Sequence, residues 1–129
     1  MKLLETSYLV DYLRGRPAAD GYYGEHRHES MVASTVSMFE LAYGVIHEAP
    51  DDLDDLMDAL HWVDFLPVST GDAVEAARVD GELAAAGDRI PVPDLLLAGV
   101  ARNRGATVVA RDEHFERVAG LSVDRYRDA

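Results

Sequence analysis

The sequence predicts an α/β fold with a mainly parallel central sheet. Short apolar runs alternate along the chain with longer segments whose apolar residues recur at helical spacing. Breakers fall between them: Gly15 with Pro17, Ala49-Pro50, Gly87 and Gly105. No linker, repeat or low-complexity stretch interrupts the 129 residues, which suit one ordinary domain over 1–129.

Lys2-Leu3-Leu4 reads as a buried strand, with Thr6 or Ser7 capping a helix that carries Leu9, Val10 and Leu13 and stops at Gly15. A second short helix is expected over Ala18 to Glu25, then a polar loop from His26 to Ser30. Met31-Val32-Ala33 predicts the second strand. Ser37-Met38-Phe39-Glu40 has capping-box spacing and opens a helix that continues through Leu41, Val45 and Ile46. Asp51 to Leu60 is an amphipathic helix whose early acids suit the positive end of the helix dipole and whose aspartates form a solvated face. Val63 to Val68 is the third strand. Ser69 and Thr70 cap a long helix over Asp72 to Ala86. Ile90 to Asp94 is extended, because a residue before proline is pushed out of the α region, and Leu95 begins an apolar helix ending at Gly105. Thr107 to Ala110 is the most strand-like run. One or two helical turns over Glu113 to Val118 and a final strand over Leu121 to Tyr126 complete the chain.

Composition narrows the function. Asp and Glu number 24 against 12 Lys and Arg, a formal charge of -12, and Lys2 is the only lysine. A simple electrostatic nucleic-acid binder is basic, so any RNA contact must rest on bound cations and a few local arginines. The acid-rich, lysine-poor balance suggests a halophilic source, where salt screens self-repulsion. Cysteine is absent, which excludes disulfides and thiolate metal sites. No signal-peptide layout or membrane-length apolar run is present, and the expectation is a cytoplasmic protein.

Open parallel sheets place ligand sites beyond the carboxyl ends of their strands. Glu5 and Asp112 stand at two such ends, Glu40 early in the helix after the second strand, and Asp94 at the start of the helix before Thr107. A right-handed wind brings all four to one rim. Carboxylates crowded together repel unless a divalent cation neutralises them, and an all-oxygen set suits Mg²⁺ or Mn²⁺ rather than zinc. Each acid also has a plainer use: Glu40 in a capping box, and Asp94 and Asp112 as caps. His26, His28, His47 and His61 read as ordinary exposed side chains, Trp62 and Phe65 as core or dimer surface, and Arg14 and Arg16 as candidates for substrate or partner contact.

Four segments, in order, resemble the PIN-domain family. They are Leu4-Glu5-Thr6-Ser7 after the first strand, Glu40-Leu41 with Gly44 on a helix, Pro93-Asp94-Leu95 opening an apolar helix, and Arg111-Asp112 after a strand with Phe115 nearby. The resemblance covers essentially the whole chain. It implies a three-layer α/β/α sandwich and a Mg²⁺- or Mn²⁺-dependent endoribonuclease with Glu5, Glu40, Asp94 and Asp112 as catalytic and metal-binding residues. It also implies a VapC-like toxin role, with an RNA substrate, a cognate antitoxin partner and a homodimer. Water attack assisted by the metal would leave a 5′-phosphate and a 3′-OH. Thr6 would support a ligating carboxylate, and Arg111 and His114 would stand at the substrate. The sequence departs from the family pattern at three places: Glu5 replaces the usual Asp, Ala110 a hydroxyl residue, and His114 an acid. A non-catalytic or weakened PIN-like RNA- or protein-binding module is therefore the alternative. A phospho-acceptor receiver domain is disfavoured because only one acid follows the first strand and no lysine follows the last. A nucleotide-binding domain is disfavoured because no Gly-rich loop follows a strand.

Overall fold

The computed structural model describes residues 1 to 128. Five strands, β1 (Lys2–Leu4), β2 (Met31–Ser34), β3 (Asp64–Leu66), β4 (Thr107–Ala110) and β5 (Ser122–Arg125), form one sheet in the order β3-β2-β1-β4-β5. Every neighbouring pair is parallel. Because strand side chains alternate between faces, β1 to β4 each feed two cores. Leu3, Val32, Val108 and Ala110 pack on one side with Val79, Leu83, Leu95 and Leu97. Leu4, Met31, Ala33 and Val109 pack on the other with Tyr8, Leu9, Tyr22, Leu41, Leu56 and Leu60.

Helices supply the outer layers. The second face is covered by α1 (Thr6–Leu13), α2 (Pro17–His26), α3 (Thr35–Glu48) and α4 (Leu53–Ala59), the first by α5 (Thr70–Ala85) and α6 (Val92–Arg104). The architecture is thus the three-layer α/β/α sandwich with a parallel sheet. Among the described residues no helix is long and apolar enough to cross a membrane.

Several boundaries differ from the sequence expectation, each for a local reason. Glu5, rather than Thr6 or Ser7, caps α1: its carboxylate accepts from the Ser7 N–H. Helix α3 starts at Thr35, where the Ser34 side chain accepts from the Val36 N–H, so Ser37 and Glu40 form no capping box. Helix α6 starts at Val92, because Pro93 within the first turn gives up no intrahelical bond. Strand β3 is shorter than Val63 to Val68. The Pro50–Asp52 stretch is a 3-10 turn leading into α4, whose aspartates are exposed as expected. Leu13, assigned to an apolar face, is 38% exposed; Tyr8, Leu9 and Asp11 are the buried residues of α1. Trp62 packs edge-on against Tyr12 and Tyr23, at centroid distances of 4.9 and 4.7 Å. His26 is not a free loop residue: it stacks on Tyr22 and meets Glu29 at 2.5 Å.

Helices α5 and α6 touch through backbone at Gly99. A Cβ there would lie 2.6 Å from the Ala76 Cβ, the Ala76 amide nitrogen and the Asp72 carbonyl oxygen. Two of these are backbone atoms, so the helices themselves must separate to admit a methyl. Gly99→Ala is expected to destabilise the fold by about 1–3 kcal/mol, the usual cost of overpacking a core. Urea unfolding checks this, and an unchanged midpoint would refute the close approach.

Candidate active site at the rim of the sheet

The strand order places β1 in the middle, with β2 on one side and β4 on the other. The chain winds outward through β2 and β3, then returns to the opposite side of β1. The carboxyl ends of β1 and β4 therefore border the point where the winding reverses, the usual place for a site in an open α/β sheet. Glu5 follows β1, its amide donating to the Val109 carbonyl at 3.0 Å, and Asp112 follows β4.

Glu5 is nearly enclosed, at 8% exposure. Its Oε2 accepts from the Ser7 amide at 2.8 Å and from the Ser7 hydroxyl. Burial pushes the Glu5 carboxyl above the ordinary carboxylate range, the two Ser7 hydrogen bonds pull it back, and the charges of Asp94 and Glu40 push it further up. Glu40 points from the second turn of α3 toward α1, where the Thr6 hydroxyl donates to its Oε1 at 2.7 Å. Thr6 Oγ1 also lies 2.9 Å from Ser37 Oγ. One proton cannot serve both partners, so the buried Ser37 donates in return.

Asp94 sits in the first turn of α6, where a negative charge is stabilised by the helix dipole. Its Oδ2 lies 2.9 Å from His114 Nδ1. Asp112 caps the 3-10 turn Glu113–Arg117 by accepting from the His114 amide at 3.0 Å, and its Oδ1 is 3.4 Å from the same imidazole nitrogen. His114 thus stands between the two aspartates. Arg111, Asp112, Glu113, His114 and Arg117 line an open cleft of about 300 Å³. On the other side of the rim Val36, Phe39, Glu40, Tyr43 and Pro93 line a second, largely apolar recess.

The rim therefore gathers Glu5, Glu40 and Asp94 within electrostatic reach and joins Asp94 to Asp112 through His114. It does not form a cage. Among the described residues no set of three or more Asp, Glu or His side chains is spaced to share one ion. Glu5 is turned onto Ser7, Glu40 onto Thr6, and Asp94 onto His114. As arranged, these carboxylates must turn from their present partners before they can share a divalent cation. What the rim offers is carboxylate acceptors, an imidazole and a neighbouring guanidinium.

One group beside the rim was not read from the sequence. Asp11 is fully buried, accepts from the Tyr126 hydroxyl at 2.5 Å, and faces Arg16, Arg111 and Arg127. Burial pushes the Asp11 carboxyl up, but the Tyr126 hydrogen bond and the three guanidinium charges outweigh it and hold it below its ordinary range. The available signal was spacing: Asp11 lies three residues after Tyr8 and so shares its inward face.

Comparison with known proteins agrees with this architecture. The chain is 27% identical over 125 residues to the tRNA(fMet)-specific endonuclease VapC of Shigella flexneri, covering 95% of each. It superposes on the DNA-bound VapBC structure from Salmonella typhimurium with a TM-score of 0.88 at 22% identity, covering 98% of both chains. The DNA-bound VapBC2 structure from Rickettsia felis gives 0.87 at 22% identity, covering 95% of this chain and 96% of that one. A family model for the PIN domain matches residues 2–121. With the sheet order, the acid positions along its rim and a family match over nearly its whole length, the chain belongs to the PIN-domain family.

Proposed function

We propose that this chain is the toxin-side PIN module of a toxin–antitoxin pair, binding RNA and a cognate antitoxin, with metal-dependent RNA cleavage that is weakened. The observation that carries this reading is the state of the four acids. Glu5, Glu40, Asp94 and Asp112 fill the four positions that the family resemblance names, yet the carboxylates are not spaced for a shared ion, Glu5 is one methylene longer than the family's Asp, and His114 replaces a further acid. The toxin assignment draws on the VapC and VapBC relatives. A single domain, a homodimer and a cytoplasmic location accompany the proposal.

The test is cleavage of single-stranded RNA by the purified chain as Mg²⁺ or Mn²⁺ is titrated, at low and at high salt. Slow, metal-dependent cleavage is expected, abolished in Asp94→Asn and Asp112→Asn without loss of the folded state. Cleavage retained in full by both variants would refute the site. Co-purification with the product of the adjacent reading frame tests the antitoxin.

A further inference from the structure

Most cations of this acidic chain are matched by carboxylates. Lys2 meets Asp124, Arg89 meets Asp80, Arg104 meets Asp72, and Arg102 is held by both Glu75 and Glu82. Asp11 reverses that ratio. Arg16 Nε lies 3.4 Å and Arg111 Nη1 3.6 Å from its Oδ1, and Arg127 Nε 2.9 Å from its Oδ2. One buried carboxylate thus gathers three guanidinium groups from three separate parts of the chain. They are the segment between α1 and α2, the end of β4, and the residues after β5.

The gathering is loose. Asp11 Oδ1 and Arg127 Nε are buried without a hydrogen-bond partner. The arginine side chains are 48%, 35% and 28% exposed for Arg16, Arg111 and Arg127, while Asp11 is closed off from solvent. Each guanidinium carries five N–H donors, far more than one enclosed carboxylate can accept. The surface is left with an excess of positive charge and outward donors, on a chain whose net charge is -12. Arg111 belongs both to this cluster and to the cleft that holds Asp112 and His114, so the cluster abuts the acidic rim.

Resting on the RNA-binding reading above, we propose that Arg16, Arg111 and Arg127, assembled on Asp11, form a phosphate-binding platform that holds the backbone of single-stranded RNA beside the rim. Guanidinium forks match phosphate oxygens in paired geometry. Three of them converging from different directions suit a tetrahedral anion better than a single planar carboxylate. Phosphate contacts position a strand without reading its sequence, which is what an acid rim that itself repels RNA requires. Asp11 is a positioning residue: it touches the arginines and not the RNA.

The experiment is fluorescence anisotropy of a short labelled single-stranded RNA in EDTA, across a salt series, with wild type, Arg16→Gln, Arg127→Gln and the double variant. Arg89→Gln, on α5's exposed Asp80 pair, is the control. Each lost platform arginine is expected to lower the slope of log affinity against log salt by about 0.7. That is a loss of about fivefold at 0.1 M relative to 1 M salt. Arg16→Lys and Arg127→Lys keep the charge and are expected to keep the slope. Unchanged slopes in the Gln variants, or an equal loss in Arg89→Gln, would overturn the platform. So would a poly-glutamate peptide that binds these arginines where RNA does not, since that identifies a protein partner. Arg16 is half exposed, so its Gln variant keeps the fold and carries the test alone. Cleavage plays no part in the readout, so platform and acidic site can fail independently.

Discussion

Replacing Glu5 by Asp is expected to raise Mn²⁺-dependent RNA cleavage about 10- to 100-fold. Glu5 spends its carboxylate on the Ser7 amide and hydroxyl. Asp is among the best N-capping residues, so the shorter side chain keeps the helix start while moving the carboxylate by roughly 1–1.5 Å. A misplacement near 1 Å can cost about a hundredfold in rate, which sets the upper end of the expected gain. Initial rates under saturating metal measure it, and thermal unfolding alongside shows the fold unchanged. Equal or slower cleavage in Glu5→Asp would show that the length of this side chain is not what limits the site.

The sheet was legible because its strands are short, apolar and bounded by breakers, and β4 was read to the residue. The acid positions were legible for a related reason. Residues that follow strands in a parallel sheet reach the same edge, so Glu5 and Asp112 could be placed before any side-chain geometry was known. Orientation was not legible. Ser37 and Glu40 have capping-box spacing, but β2 runs on to Ser34, and Ser34 takes the capping role first. Freed from the cap, Glu40 turns to Thr6, thirty-four residues away in sequence. The placement of His114 between Asp94 and Asp112 depends on how α6 docks against the turn after β4, and no local pattern encodes that. Asp11 was missed because a carboxylate inside a helix reads as a solvated face. Its partners Arg111, Tyr126 and Arg127 come from the far end of the chain.

The same limit applies to Asp72, whose removal is expected to have the largest effect on stability. Ser69 was read as a cap, but the reciprocal half of the box was not: the Asp72 carboxylate accepts from the Ser69 amide at 2.9 Å, while Ser69 Oγ accepts from the Asp72 amide at 3.1 Å. The carboxylate is fully buried and accepts in addition from Asn103 at 3.0 Å and from Arg104 at 3.2 and 2.7 Å. It therefore ties the start of α5 to the end of α6. Cutting one partner out of a buried charge pair costs about 3–5 kcal/mol. The Arg104 side chain is 27% exposed and regains some water, so Asp72→Ala should fall near the low end, about 3 kcal/mol. The pH dependence has a definite sign. Arg104 first, then Asn103 and the Ser69 cap, hold this carboxyl well below its ordinary 3.8 against the opposing effect of burial. A depressed carboxyl contributes stability that is complete above its unfolded value and is lost as the pH falls below it. The gap between wild type and Asp72→Ala should be constant from neutral pH down to about pH 5 and narrow below about pH 4. A gap that persists undiminished in acid would mean that packing around Asp72, and not its charge, joins the two helices.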